Sequence, residues 1–179
     1  MKSFTLIFAL MMLWTGCHST KNIAWKTWQS SPQTEELGNG MIKTVRIKVY
    51  RDTVFETRID GAKKIYPVLQ PTKDSAVIRL EVAYDLKEPL PDSRQNYILL
   101  IPVSNPLKIP TNKPYVINPE KVLYGFLAFH PQSGYRFLDS GKIFLEKDKK
   151  GHIRLTVKLD ENQQSVLNGT YLIPVEKAK

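Results

Sequence analysis

The sequence predicts an all-β protein: a single antiparallel β-sandwich of the immunoglobulin-like or transthyretin-like kind, with a closed β-barrel as the alternative. Three observations carry this expectation. From Met41 onward, apolar and polar residues alternate with period two in one segment after another, the pattern of strands with one buried face. Turn dipeptides and prolines separate those segments at short intervals. No stretch keeps apolar residues three and four apart for long, so any helix is short, and residues 161–167 are the best candidate.

In the first segment Val45, Ile47 and Val49 alternate with Thr44, Arg46, Lys48 and Tyr50. The pattern resumes at 54–59 and stops at the turn dipeptide Asp60-Gly61. Residues 65–69 read as a short third segment ended by Pro71. Residues 75–86 form the clearest strand: Ile78, Leu80, Val82, Tyr84 and Leu86 point one way, Arg79, Glu81 and Asp85 the other. One-sided burial of this kind belongs to antiparallel sheets. After Pro89 and Pro91, residues 97–101 are apolar on both faces, which puts that strand at the centre.

Residues 105–120 carry Pro106, Pro110, Pro114 and Pro119, which deny regular ladder bonding and predict an extended, loop-like path. The next strand covers 122–129 and turns through Pro131-Gln132-Ser133-Gly134 into 135–138. Residues 141–147 and 152–159 make a hairpin across Asp148-Lys149-Lys150-Gly151, and Asn168-Gly169 leads into a last strand at 170–175. About eight or nine strands at such spacing suit a sandwich first and a barrel second. The domain spans 41–179, with no internal repeat.

Ahead of it, residues 17–40 are polar and read as a tether. Trp25 and Trp28 interrupt this stretch: a short first strand runs through 23–28, or the indoles pack back onto the domain, or they anchor a partner. Gly38-Asn39-Gly40 marks a turn into the domain.

Residues 1–16 have the layout of a secretory signal peptide: Lys2 near the start, an apolar run from Phe4 to Trp14 broken only by Thr5, then small residues before Cys17. As a helix that run covers roughly 16 Å against a hydrocarbon core of about 30 Å, too short to span a membrane. Thr15-Gly16-Cys17 resembles the lipobox of bacterial lipoproteins, although Trp14 stands where that pattern prefers an aliphatic residue. The resemblance covers the leader alone. It implies cleavage before Cys17, a diacylglyceryl group on the Cys17 sulfur and an acyl chain such as palmitate on its amine. Two or more chains anchor a protein stably where one does not. It also implies a bacterial cell envelope. His18-Ser19-Thr20 lacks the Asp associated with inner-membrane retention, which points to the outer membrane and its periplasmic face. Cys17 is the only cysteine, so no internal disulfide forms.

The chain carries 26 Lys and Arg against 17 Asp and Glu, a formal charge of +9. An exported protein meets no nucleic acid, so anionic head groups, acidic polysaccharide or an acidic protein face are the available partners. The densest basic cluster, Lys147, Lys149, Lys150 and Arg154, surrounds a turn and suits a solvated surface.

Catalytic chemistry finds little footing. There is no Gly-x-Ser-x-Gly elbow, and His18, His130 and His152 lack metal-ligand spacing. Glu56, Asp60, Glu81 and Asp85 form no evident catalytic pair. A non-enzymatic protein without cofactor or metal is the expectation. The concentrated signal is aromatic: Tyr115, Tyr124, Phe126, Phe129, Tyr135 and Phe137 lie close in sequence beside the proline-rich stretch. Ordinary inter-sheet core is the favoured reading of these aromatics. The sharper expectation is a binding face formed by Tyr115, Tyr124, Phe126, Tyr135 and Phe137. It would anchor an envelope protein partner or, as the alternative, bind a glycan or lipid.

Overall fold

A computed structural model describes residues 27–88, 90, 92–104, 109–149, 152–160 and 165–173. The leader, Cys17, Trp25 and the start of the 161–167 helix candidate lie outside them. Regular structure among the described residues consists of eleven strands and two 3-10 turns, Pro119–Lys121 and Ser165–Leu167. None of it is a helix long and apolar enough to cross a membrane.

The strands are β1 (Thr27–Gln29), β2 (Gln33–Glu36), β3 (Met41–Ile59), β4 (Ile65–Leu86), β5 (Gln95–Ser104), β6 (Tyr115–Ile117), β7 (Leu123–Leu127), β8 (Gly134–Phe137), β9 (Lys142–Lys147), β10 (Ile153–Lys158) and β11 (Gly169–Ile173). A seven-stranded sheet runs β1-β3-β4-β5-β7-β8, with β2 also on β3, and a four-stranded sheet runs β11-β10-β9-β6. Every strand pair in both sheets is antiparallel.

The fold is thus the expected all-β sandwich. Alternation places the core. Ile47 and Val49 of β3, Ile78, Leu80 and Val82 of β4, and Leu99 and Ile101 of β5 meet Ile143, Leu145, Ile153, Leu155 and Val157 of the smaller sheet. All are buried.

Several segments differ from their sequence reading. Of the expected tether, β1 pairs Thr27–Gln29 with Lys48–Tyr50, and β2 pairs Gln33–Glu36 with 42–45. Edge strands need only backbone partners, so exposed polar side chains such as those of β2 carry no apolar signal. The proline-rich stretch includes the short strand β6, paired with β9 from Tyr115↔Leu145 to Ile117↔Ile143. Residues 65–69 are not a separate strand but the beginning of β4, which runs through Pro67 and Pro71 for 22 residues. Both prolines are tolerated because this part of β4 has β3 on one side and meets β8 through one pair alone.

That length matters because the β3–β4 hairpin bends. Its register runs from Met41↔Leu86 to Arg51↔Ala76, then resumes at Thr53↔Pro71 and ends at Ile59↔Ile65. Asp52 and Asp74 adopt left-handed backbones, φ 51° and 58°. An unequal count of residues on two paired strands is a bulge, which bends the pair. Thr53 is buried at this corner, its Oγ1 donating to the Arg51 carbonyl at 2.7 Å. The distal arm, residues 53–59 and 65–71, packs Phe55, Ile65 and Leu69 against Val77, Ile98, Leu100 and Leu123 on the second face of the larger sheet. This covers β5 on both sides, as its two apolar faces require. The arm reaches β8 at one register pair, Ile65↔Tyr135, so the sheet curls without closing into a barrel.

Tyr135 joins this second cluster by lying across Gly125, its cross-strand neighbour on β7. A Cβ at position 125 would stand 2.7 Å from Tyr135 Cδ1. Glycine is required there by the ring, not by the turn. Gly125→Ala should therefore cost about 2 kcal/mol in urea denaturation, and much less in a Tyr135→Ala background. An equal cost in both backgrounds would contradict this packing.

Candidate functional site

The five aromatic residues expected to share one binding face do not do so. Tyr115 lies on β6 in the smaller sheet, partly buried against the inter-sheet core. Tyr124 and Phe126 point from β7 into that core and are buried. Tyr135 packs on the opposite side of the larger sheet, and Phe137, at the end of β8, is half-exposed. Cross-strand register is the cause: Tyr135 and Phe137 pair with Gly125 and Leu123, which alternate to the face opposite Tyr124 and Phe126. Phe129, just beyond β7, is 85% exposed.

Of the five, Phe126 belongs to an aromatic row along the sandwich. Tyr97 of β5 lies 5.1 Å from Phe126, centroid to centroid, and Tyr84 of β4 meets Tyr97 edge-on at 5.9 Å. The His130 ring continues the row at 6.0 Å from Phe126. Its Nδ1 accepts from the Gln132 amide at 3.1 Å, which fixes the β7–β8 turn. His152 is held by Asp148 at 3.0 Å across its own hairpin turn. No group of three or more His, Cys, Asp or Glu side chains among the described residues could hold a metal ion.

Three of the five residues do converge elsewhere. Tyr124, Phe126 and Tyr135 help line an open cavity of about 480 Å³ between the tip of the β3–β4 hairpin and the β7–β8 turn. Lys63, Lys64 and Arg136 line it too. Sequence spacing could not reveal this, because the lysines are some sixty residues from β7 and arrive only when the arm folds back.

Each cation is positioned by local structure. The Asp60 carboxylate closes the hairpin tip, Oδ1 accepting from the amides of Ala62 at 2.9 Å and Lys64 at 2.8 Å. Within this turn Lys63 adopts φ 60°, a left-handed conformation that suits glycine better than a side chain with Cβ. Asp148 closes the β9–β10 turn in the same way, its Oδ1 accepting from the His152 amide at 2.9 Å, and the corresponding fourth residue of that turn is Gly151 in sequence. Lys64 lies beside Gly134, whose φ of 146° would strain any other residue. A Cβ at that glycine would find only the Lys64 stem, at 4.0 Å. Arg136 is the cross-strand partner of Tyr124, its guanidinium 5.4 Å from the ring centroid, an arrangement of cation over π-face.

The electrostatics here contrast with those of the other charged cluster. On the second face of the larger sheet Glu81, mostly buried, pairs with Arg79 at 2.9 Å and with Arg46 and Arg94 at 3.8 Å each. Among the described residues, Lys63, Lys64 and Arg136 have no carboxylate partner of this kind. Beside them Tyr124 is 2% exposed, and its hydroxyl has no hydrogen-bond partner. Burial pushes its pKa up to about 12, with Tyr97 adding to the rise and Arg136 pulling it back. The hydroxyl therefore stays protonated and able to donate. Comparisons with protein-family models, curated proteins and solved structures returned no match.

A buried hydroxyl without a partner costs stability, so Tyr124→Phe should stabilise the fold by about 1 kcal/mol at pH 7. The folded chain holds the Tyr124 and Tyr171 protons more tightly than the unfolded chain, because burial raises both pKa values to about 12. That contribution is complete below about pH 10 and is lost as pH rises toward 12. Tyr124→Phe should make the alkaline loss shallower. Denaturant melts from pH 7 to 11 check both, and a destabilised variant with an unchanged alkaline slope would contradict them.

Proposed function

We propose that this chain is a lipid-anchored, non-enzymatic binding module of the bacterial envelope, held by Cys17 at the outer membrane on its periplasmic side. The leader's resemblance to lipoprotein signal peptides supports the anchor. The observation that carries the binding reading is the cavity, where a rigid sheet and a folded-back hairpin bring donors and cations together. Such groups bind and orient a ligand. A concave site with convergent polar groups suits a small polar or lipid-borne ligand better than the flat contact a protein partner needs.

A protein partner is the second reading, and one feature favours it. On the outer face of the smaller sheet Val116 and Leu172 are 73% and 56% exposed, with Phe144 half-buried in the register row of Val116. Exposed apolar residues on a sheet face suit protein contact.

In fractionated cells the full chain should appear in the outer membrane with a lipid-modified Cys17 as its first residue, and Cys17→Ser should leave that fraction. An intact leader before an unmodified Cys17 in the membrane form would refute the anchor. A photo-cross-linker at Gln132, on the cavity rim, should capture carbohydrate or lipid. One at Val116 that captured a discrete envelope protein, while Gln132 captured nothing, would give the second reading the lead.

A further inference from the structure

We infer that the cavity is built for a phosphomonoester carried on a small polyol, with Lys63, Lys64 and Arg136 taking its charge. The inference rests on the binding reading above and names the ligand chemistry of that site.

Charge is the first argument. Three solvent-exposed cations line one cavity without a carboxylate partner among the described residues, and an anion bound among them relieves their mutual repulsion. The acid nearest the two lysines along the chain, Asp60, has its Oδ1 committed to the turn amides of Ala62 and Lys64. A phosphomonoester brings close to two negative charges and three acceptor oxygens at neutral pH, so it can satisfy several donors at once where a carboxylate offers two oxygens.

Strain is the second. Lys63 holds a left-handed backbone in a turn whose counterpart at Asp148 has a glycine in the same sequence position. A conformation that glycine would adopt at less cost, kept with a lysine, points to a use for the side chain.

Size and surface then limit what carries the phosphate. At about 480 Å³ the cavity exceeds one phosphate group and suits a sugar or glycerol unit attached to it. Phe126 and Tyr124 are buried by their neighbours and offer no open ring face, so stacking of a nucleobase is not provided for. Gln132 and Ser133 at the rim suit hydroxyl groups. A soluble sugar phosphate and a glycerophospholipid headgroup share this chemistry.

The test is titration calorimetry on the full chain purified in detergent, with glucose 6-phosphate, glycerol 3-phosphate and glucose as probes. Flotation with phosphatidylcholine vesicles, with and without phosphatidic acid, forms the second arm. Glucose 6-phosphate should bind at least about tenfold more tightly than glucose, and more weakly as salt rises. Arg136→Gln should weaken it about tenfold and Arg136→Lys less, while Arg154→Gln, outside the cavity, should change nothing. Lys63→Gly should weaken binding severalfold while raising the melting temperature, a pairing that a merely structural role would not produce. Preference for phosphatidic acid vesicles over the soluble probes would identify the lipid headgroup as the source, and the reverse a sugar phosphate.

Equal affinity for glucose and glucose 6-phosphate would overturn the inference and leave the binding-module reading standing. Equal losses from Arg154→Gln and Arg136→Gln would overturn it as diffuse charge attraction. No binding of any phosphate probe in either arm would also overturn it, while cross-linking from Gln132 decides the module reading separately.

Discussion

The structure depends on the bend in the β3–β4 hairpin. Without it, Val77, Ile98, Leu100 and Leu123 would face water from the centre of the larger sheet. With it, Phe55, Ile65 and Leu69 cover them, and a sheet that would otherwise need a third layer supplies its own. The left-handed backbones at Asp52 and Asp74 and the buried Thr53 are the local means. Burial of several large apolar side chains, each worth about 1.5–3 kcal/mol, outweighs two strained backbone positions at about 1–2 kcal/mol each. The bend is therefore the favourable state.

The same bend creates the cavity. It carries the hairpin tip to β8, so that Lys63 and Lys64 stand beside Gly134 and Arg136. Rigidity comes from both sides: the Asp60 turn orders the lysines, and the β7–β8 ladder with its His130-braced turn orders the arginine. The two cationic regions of the larger sheet then differ in kind. Arg46, Arg79 and Arg94 share Glu81, whereas the cavity cations have no such partner among the described residues. Net positive charge is spread over the chain, and at the cavity it meets a concave surface that no carboxylate side chain among the described residues lines.

Period-two alternation made much of this fold legible before any coordinates. The inward faces of β3, β4 and β10 are the ones their apolar residues mark, and two-sided burial of β5 follows from Ile98 and Leu100 being as apolar as Leu99 and Ile101. The edge strand β2 was not legible, because a strand held by backbone pairing leaves no apolar stripe, and β1 was anticipated only as one reading of residues 23–28. The continuity of β4 through Pro71 was hidden for a related reason: proline breaks a central strand, and only tertiary context makes residues 65–71 nearly an edge. At the site, sequence picked out Tyr124, Phe126 and Tyr135 but assigned them to one surface with Tyr115 and Phe137. Lys63 and Lys64 gave no signal, since two lysines after a turn are ordinary. The left-handed backbone of Lys63 and the proximity of both lysines to Arg136 are tertiary facts.

The most direct test of this account is a nuclear Overhauser spectrum of the folded domain, read at Ile65 and Tyr135. If the arm folds back as described, interstrand contacts link these two residues, and the Tyr135 ring shows contacts to Gly125. If Ile65 shows contacts only to Ile59 across its own hairpin and the Tyr135 ring reports solvent, the arm does not cover the sheet. The second core and the cavity built on it would then be wrong together.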